Sequence, residues 1–358
     1  MKTFEAAGYI TSVAFTTTLL TNFLVIFLTI FHIKLINGPY KWMIVVFATM
    51  GILFSFLEVT AHPCVHNFNG GWIFFSLNVY LPSWVVFFLT ACYSGFFCSL
   101  LAFINVQFIY RCWTIIGSNL VDSFRGWRIA LWVVFVITPS ALFANAFIIL
   151  VPPDEFSDGY MQEEFVNVYE LNLTEVTRFI LVAYNNDEVR WKNVSFILVI
   201  CLILLTILGV IGYSALRMRK EMKSRFEIMS RRNMKLETQF FKALVAQSAF
   251  PTILLVLPIG PVLLLPLFNL EISWQSGFMF SLFSLYPPID SIAMMMIITE
   301  YKMCLKKVLY IITHPCGGGK VSQSTMNVGN CQSEMENSFQ LSAIQHENLR
   351  YEWGSTTI

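Results

Sequence analysis

The chain has 358 residues, of which 56% are hydrophobic and only 13% are charged, and its formal net charge is +1. Soluble domains carry roughly 25% charged residues, so this composition excludes a soluble fold and indicates a membrane protein. The charges are unevenly distributed along the chain, and their distribution predicts how the protein is oriented.

Seven segments of 16 to 28 residues contain no Asp, Glu, Lys or Arg. About 20 apolar residues cross the hydrocarbon core as a helix, and in lipid only helices or closed barrels satisfy their own backbone hydrogen bonds. The segments lack the alternation of barrel strands, so we predict helices. The third is the second half of an uncharged run that begins at Val59. We number them spans one to seven: residues 6–33, 42–57, 84–110, 129–153, 193–216, 243–270 and 272–289.

The basic residues predict the orientation of these spans. The connections one–two, three–four and five–six, together with the segment after span seven, hold 19 Lys and Arg residues, whereas the opposite side holds 4. Basic residues near membrane ends remain in the cytoplasm. We therefore predict that the amino terminus lies outside and the carboxyl terminus inside.

Two connections are predicted to lie outside. Residues 62–83 contain prolines and glycines that separate spans two and three. Residues 152–192 are long and acidic, and we expect a solvated lid with some local helix. They contain no cysteine, so they cannot form a disulfide with span three. They do contain the sequon Asn172-Leu173-Thr174, which makes Asn172 a predicted glycosylation site.

Glu58 is one of two acidic residues predicted to lie within the membrane, in its outer third. His62 lies one helical turn further on, on the same face. One interpretation is a polar group in an outward-opening ligand pocket, to which Asn78 and Tyr80 add polar contacts. The other, which we favour, is a local hydrogen bond between Glu58 and His62 that fixes the end of the helix.

Asp290, the second such acid, is predicted in the inner third of span seven, just after Tyr286-Pro287-Pro288. Prolines remove backbone donors and free the carbonyls one turn earlier. A buried carboxylate beside a broken hydrogen-bond ladder indicates a switch formed by Tyr286, Pro288 and Asp290. A static, hydrogen-bonded aspartate is the alternative.

Arg111 is predicted at the inner membrane interface, at the end of span three. It is expected to pair with span six or with a cytoplasmic partner, and the alternative is an arginine that extends to the interface without a partner. The five–six connection carries nine basic residues, Arg231 and Arg232 among them. These would attract anionic lipid headgroups or an acidic protein surface.

Residues 1–312 are predicted to form the membrane domain with a short juxtamembrane helix, and residues 313–358 a disordered cytoplasmic tail. After span seven, Leu305, Val308, Leu309 and Ile312 recur at helical spacing beside lysines, which predicts an amphipathic helix on the inner surface. The polar composition of the remainder predicts disorder. Cys304 and Cys316 flank the helix as free thiols or as palmitoylation sites.

Several blocks of residues together resemble one family. They are Pro39-Tyr40-Lys41-Trp42, Glu58 with His62-Pro63, Phe108-Ile109-Tyr110-Arg111, the run from Gln239 to Gln247 with Pro251, Pro258 and Pro266, and Tyr286-Pro287-Pro288-Ile289-Asp290. Over roughly residues 8–312 the chain resembles a nematode chemosensory G-protein-coupled receptor of the Str superfamily (serpentine receptor class r). Cys112 and Ser291 depart from it, since they stand where the family often has an aromatic residue and a proline.

The resemblance implies an all-α membrane protein, a seven-transmembrane helix bundle of the G-protein-coupled receptor type. It implies an odorant-type receptor for a small, largely apolar molecule or a soluble chemical cue, with a heterotrimeric G protein of Gi/o-like class as partner. It also implies the plasma membrane, in particular the ciliary membrane of a chemosensory neuron. Arg111 would gate the G protein, and Tyr286 to Asp290 would form the switch.

Other classes of protein are less consistent with the sequence. A retinal protein needs a lysine within span seven, and no span contains lysine. A seven-helix transporter or a ligand-gated channel is the alternative function, although we find no internal repeat of the transporter kind. No enzyme motif, cofactor site, metal site or nucleic-acid partner is predicted; membrane lipids are the remaining expected partner.

Glycosylation tests the predicted orientation. If residues 152–192 lie outside, wild-type protein from a eukaryotic host should show an electrophoretic mobility step that a glycosidase removes and that Asn172→Gln abolishes. Asn193→Gln is the control, since its sequon begins span five and is expected to lie too close to the bilayer for modification. An unmodified Asn172 would instead favour a channel whose amino terminus lies inside.

Overall fold

The computed structural model describes residues 2–33, 36, 38–185, 188–225, 230–268, 273–274 and 277–313. Within these residues the helices are α1 (Lys2–Phe27), α2 (Pro39–Ala61), α3 (Ser83–Ile116), α4 (Ile129–Leu150), α5 (Glu155–Tyr169), α6 (Trp191–Arg225), α7 (Arg231–Pro251), α8 (Leu257–Leu264), α9 (Gly277–Ile297) and α10 (Thr299–Thr313). The strands are β1 (Pro63–Phe68), β2 (Gly71–Ser76), β3 (Arg178–Val182), β4 (Tyr184–Asn185), β5 (Glu188–Val189) and β6 (Ser273–Trp274).

The predicted spans correspond to the long helices of the described chain. Six helical stretches there are long and apolar enough to cross a membrane, and the apolar part of α9, Phe283–Ile297, is shorter. Spans one to five correspond to α1, α2, α3, α4 and α6, and span seven corresponds to α9. The sixth helix comprises α7 and α8 and begins before the uncharged residues 243–270; from here on, span six means this whole helix. We call the end of the bundle that carries β1 and β2 the outer end, and the end that carries Arg111 the inner end.

Helix α3 is the central element of the bundle. It packs against α2, α4, α6 and α7, and 20 of its residues are buried. It ends at Gly117, whose φ of 69° lies in the left-handed region that glycine adopts without a steric penalty. Because α3 contacts so many neighbours, its side chains reach both the outer and the inner polar sites.

Span six is irregular where its prolines are concentrated. α7 ends at Pro251, a π-helical turn follows at Thr252–Val256, and α8 contains Pro258 and Pro261 before a 3₁₀ turn at Leu265–Phe268. Proline lacks the N–H that the α-helix requires, so the backbone hydrogen bonds beside it change from the α-helical to the wider π-helical pattern. The prolines of span six thus coincide with a π-helical segment.

A small antiparallel sheet, which the sequence analysis did not anticipate, lies across the outer end. Its strand order is β3-β2-β1-β6. β1 and β2 come from the connection between spans two and three and β3 from that between spans four and five, whereas β6 occupies the first residues of predicted span seven, which was expected to be helical. The sheet is buried on both faces. Trp72 and Phe74 of β2 belong to the core of the bundle, whereas Ile73 and Phe75 pack with α5 in a separate core.

Helix α5 covers the face of the sheet that points away from the bundle. Its first turn forms a capping box in which Asp154 accepts a hydrogen bond from the backbone N–H of Ser157 at 2.8 Å. Met161 and Phe165 of α5 pack against the strands. The predicted local helix in residues 152–192 is therefore present, but these residues form a packed layer rather than a solvated lid.

Helix α10 follows α9 and corresponds to the predicted juxtamembrane helix. Tyr301 is buried, and its hydroxyl is hydrogen-bonded to that of Thr29, in the π-helical turn Leu28–His32 that follows α1. Residues 1–308 form one compact unit, and of residues 309–358 only 309–313 are described. The predicted tail, with Cys316, lies outside the described residues. The six described cysteines, Cys304 among them, are free.

The closest approach between α3 and α4 tests the packing of the bundle. A Cβ atom on Gly95 would lie 2.4 Å from the carbonyl oxygen of Ser140 and 3.0 Å from the Cβ of Ala144. We expect Gly95→Ala to force the helices apart and to destabilise the protein by about 1–3 kcal/mol, measured as a lower thermal unfolding temperature in detergent. Gly209→Ala in α6 is the control, because its Cβ would meet nothing within 4 Å; equal losses in both variants would contradict the packing.

Candidate functional site

A cavity of about 80 Å³ lies in the outer half of the bundle, beneath the sheet. Its walls come from α2, α3, α4, α8, α9 and the π-helical turn of span six, and its outer wall is made by Val65 of β1 and Trp72 and Phe74 of β2. These three strand residues are at most 6% exposed. The cavity is therefore enclosed by both the bundle and the sheet.

The lining of the cavity is strongly aromatic. Its polar side-chain groups are the hydroxyl groups of Tyr93 and Ser94 and the indole N–H of Trp72, and the other side chains that line it are apolar. Ligand pockets in proteins combine such apolar walls with a few polar groups that orient the ligand. The aromatic residues of the lining are Phe54, Trp72, Phe74, Tyr93, Phe97, Phe143, Phe147 and Phe283.

Glu58 lies directly behind this cavity. Its carboxylate accepts a hydrogen bond from Ser284 of α9 at 2.7 Å, and it is also hydrogen-bonded to the hydroxyl of Tyr93. Ser284 in turn contacts the hydroxyl of Thr11 in α1 at 3.2 Å. Glu58 is 3% exposed and Tyr93 lines the cavity, so the carboxylate reaches the cavity through one tyrosine.

The other predicted ligand contacts lie away from the cavity. His62 caps α2, where its backbone N–H donates to the carbonyl of Glu58 at 2.9 Å, and its imidazole is exposed. Asn78 holds a turn by accepting hydrogen bonds from the N–H groups of Tyr80 and Leu81 at 2.8 and 3.0 Å. The side chain of Tyr80 is 90% exposed. Of the four predicted residues, only Glu58 approaches the cavity, and its carboxylate contacts Ser284 rather than the imidazole of His62.

His66 and Glu164 form a titratable pair between the sheet and α5, which together we call the lid. Nε2 of His66 is 3.4 Å from a carboxylate oxygen of Glu164, which also accepts a hydrogen bond from Ser273 of β6 at 2.6 Å. Burial lowers the pKa of His66 because it disfavours the charged imidazolium, and the Glu164 carboxylate opposes this shift.

Deeper in the bundle, Asp290 lies between α9 and span six. One of its oxygens accepts a hydrogen bond from Gln247 of α7 at 3.2 Å, and the neighbouring Ser291 donates to Asn22 of α1 at 2.8 Å. Asp290 and Tyr286 line a small cavity of about 10 Å³, next to the buried Pro287 and Pro288. The predicted switch residues of span seven are thus brought together and linked to α1 and α7.

Arg111 lies at the inner end against span six. Its Nη1 is 3.3 Å from a carboxylate oxygen of Glu237 in α7, and the guanidinium lies 3.5 Å from the ring centre of Tyr40 and 3.8 Å from that of Phe240. The Arg111 side chain is only 8% exposed. Such contacts combine an ion pair with cation–π attraction. Of the two arrangements considered from the sequence, the structure shows the pairing with span six.

The remaining predicted residues are distributed around the bundle. Arg231 is exposed at the start of α7, and the side chain of Arg232 lies outside the described residues. Asn172 is exposed before a 3₁₀ turn and accepts a hydrogen bond from Gln162 at 3.3 Å. Asn193 is 3% exposed, and its side chain donates to the carbonyl of Val182 at 3.1 Å.

The sequence analysis did not identify Glu237 or the strand residues of the cavity. Glu237 lies outside the uncharged spans, so the search for charges within the membrane did not include it. A signal was present, because Glu237 lies two residues before the Gln239–Gln247 block that carried the family resemblance. Trp72 and Phe74 carried no separate signal, since they lie in the uncharged run before span three.

Comparison with solved structures identifies the class of fold. Squid rhodopsin, solved as a crystal structure, has a TM-score of 0.52 with this chain, covers 89% of each chain and is 10% identical in sequence. At this identity the likeness shows the fold alone. The chain has the seven-helix rhodopsin fold, which confirms the predicted bundle.

Comparison of sequences then identifies the family. The model of the serpentine type 7TM GPCR chemoreceptor Str matches residues 7–306. G-protein coupled receptor str-33 of Caenorhabditis elegans is 39% identical over 310 residues, which cover 84% of this chain and 90% of that protein. Serpentine receptor class r-10 of the same species is 25% identical over 274 residues, covering 74% and 80%. The chain belongs to the Str family of chemoreceptor G-protein-coupled receptors, which confirms the resemblance inferred from the sequence.

Proposed function

We propose that this receptor binds a small, largely apolar molecule in the aromatic cavity of the outer half and responds by activating a heterotrimeric G protein. The enclosed cavity beneath the sheet is the observation that carries the proposal. A receptor of this kind needs no catalytic residue and no cofactor. Asn172, as a glycosylation site outside, and the ciliary membrane of a chemosensory neuron complete the proposed setting.

The chemistry of the cavity supports an apolar ligand. Aromatic walls provide area for apolar contact, and Tyr93 and Ser94 provide two hydroxyl groups for orientation. Glu58 contributes indirectly, by holding Tyr93. A volume of about 80 Å³ is smaller than the cavities of roughly 150 Å³ that bind benzene. We therefore propose a small ligand whose entry widens the cavity.

The ion pair at the inner end supports the interpretation of this structure as a receptor in its resting state. The ion pair of Arg111 with Glu237 connects α3 to span six, so the outward movement of α7 requires its rupture. In the proposed mechanism this rupture exposes Arg111, which then contacts a G protein of the Gi/o-like class together with Arg231 and Arg232. Tyr286, Pro288 and Asp290 form the proposed switch between the cavity and this end.

The π-helical turn of span six supports a mechanical link between the two ends. Leu255, within this turn, lines the cavity. Gln247, in the preceding helix α7, donates a hydrogen bond to Asp290. π-Helical turns inside helices recur at functional sites. A ligand that displaces Leu255 would shift the equilibrium between two positions of α7. The size of the shift depends on how much more tightly the ligand binds to one position than to the other.

Filling the cavity tests the ligand site. We expect Ser94→Phe, which places a ring in the cavity, to abolish calcium responses of a ciliated sensory neuron to a panel of small volatile and soluble chemicals. Thr138→Phe is the matched control, because Thr138 is exposed on α4 away from the cavity. Surface expression should be equal in both. A full response in Ser94→Phe would contradict the proposed ligand site.

Breaking the inner ion pair tests G-protein coupling. Loss of about 1 kcal/mol shifts a two-state equilibrium roughly fivefold, so Glu237→Gln should raise ligand-independent nucleotide exchange on a purified Gi/o heterotrimer several-fold. Arg111→Ala should abolish exchange. Asp122→Asn is the control, since its ion pair with Arg125 is exposed at the same end.

Assays in liposomes separate the receptor from the alternative functions. A transporter or a ligand-gated channel would carry substrate or current in liposomes without any G protein. If Arg111→Ala reached the membrane and still coupled normally, the proposed role of Arg111 would be wrong. Substrate uptake or ionic current in liposomes that hold the purified chain alone would favour the alternative class.

A further inference from the structure

A second, larger crevice opens on the outside of the bundle near the outer ends of α3 and α4. It has a volume of about 370 Å³ and is formed by the first turns of α3, by Pro153 and by residues 174–178. Trp84 and Phe88 at its edge are 69% and 53% exposed, and Ile149 of α4 is 58% exposed. Exposed aromatic side chains at the ends of membrane helices lie at the interface between lipid and water. The crevice thus faces the outer part of the bilayer.

One buried aromatic side chain, which lines neither space, lies between this crevice and the cavity. Phe87 lines the crevice, and its ring centre is 4.5 Å from that of Phe179, a residue with 0% exposure at the start of β3. On its other side, Phe179 contacts Phe147 at 5.4 Å and Phe74 at 6.4 Å. Phe147 and Phe74 line the cavity. Along this line, Phe179 is the ring that joins the wall of the crevice to the wall of the cavity.

The route from water through the lid is thicker. A molecule entering there would have to pass α5, the apolar layer of Ile73, Phe75 and Phe165, and then the sheet itself. The strand β3 that carries Phe179 is anchored to this layer. Arg178 donates two hydrogen bonds to Asp158 of α5, at 2.8 and 2.7 Å. The backbone of Phe179 is therefore held in place, so that a passage here requires movement of its side chain.

We propose that the crevice is an entrance and peripheral binding site for small, uncharged, apolar molecules that arrive from the outer leaflet, and that Phe179 is the gate between the crevice and the cavity. This inference rests on the proposed function, because it takes the cavity to be the ligand site. The ligand class follows from the apolar part of the lining, which comprises Trp84, Phe87, Phe88 and Val176. Two charged residues also line the crevice, but Arg178 is paired with Asp158 and Glu175 is exposed. Apolar solutes concentrate in the bilayer beside this opening.

Chemical labelling of a thiol in the cavity tests the entrance without knowledge of the natural ligand. Val262 lines the cavity and is 6% exposed, and Val262→Cys is a small change there. The full-length receptor in nanodiscs would be exposed to N-ethylmaleimide, which is neutral and enters the bilayer, or to a trimethylammonium methanethiosulfonate, which is charged and does not. Mass spectrometry assigns the modified cysteine and gives its rate of labelling.

We expect the neutral reagent to label the Val262→Cys receptor and the charged reagent to label it at least tenfold more slowly. Adding Phe179→Ala should accelerate the neutral reagent by about tenfold, the effect of lowering a barrier by roughly 1.4 kcal/mol. Phe179→Leu should give an intermediate rate. Thr177→Trp, which fills the crevice, should slow labelling whether residue 179 is Phe, Leu or Ala.

Phe165→Ala is the matched control, because it removes a buried ring of the same size between the sheet and α5, away from the crevice. It should leave the rate of labelling unchanged. Acceleration by Phe165→Ala together with equal rates for the charged reagent would place the entrance in the lid and overturn the proposal, as would the absence of any effect of Thr177→Trp. If labelling follows the proposal but no chemical evokes a response, the entrance stands and the proposed receptor function fails.

Discussion

Polar side chains inside the bilayer have no water to bind, so each needs a partner within the protein, and in this protein several of the partners lie on α9. Near the outer end Ser284 donates to Glu58 of α2. Deeper, Asp290 accepts from Gln247 of α7, and Ser291 donates to a side chain of α1. An unpaired buried polar group costs about 1–3 kcal/mol. The positions of α1, α2 and α7 around α9 are therefore mutually dependent, and a shift of one helix requires new partners for the others.

The sheet at the outer end applies a similar constraint by apolar packing. Its strands alternate between two cores, with Trp72 and Phe74 facing the bundle and Ile73 and Phe75 facing α5. Asn67 of β1 also donates to the carbonyl of Val262 at 3.2 Å, which joins the sheet to the outer end of span six. The lid is consequently part of the folded core. In the proposed mechanism the side chains around the cavity move more readily than the lid.

The sequence predicted the bundle correctly because each uncharged segment carries its own signal, the length needed to cross the hydrocarbon core. It did not predict the sheet, and the reason is physical. A strand buried on both faces is apolar at every position, so β2 lacks the alternation that identifies a strand and merges with the run before span three. The partners of Glu58 and Arg111 were also beyond local patterns. Ser284 and Glu237 are more than 120 residues away along the chain, and only the folded bundle brings them together.

Span six is where the constraints from both ends meet. Along one irregular helix, Glu237 binds Arg111, Gln247 binds Asp290 and Leu255 lines the cavity. The first two contacts are polar and hold α7 toward α3 and α9, whereas the third is apolar and yields to a ligand that needs more volume. The π-helical turn at Thr252–Val256 lies between the polar contacts and the outer end of the span. A displacement at the cavity therefore acts on α7 at its most deformable point, and the strength of the two polar contacts determines how much ligand-binding energy the proposed outward movement requires.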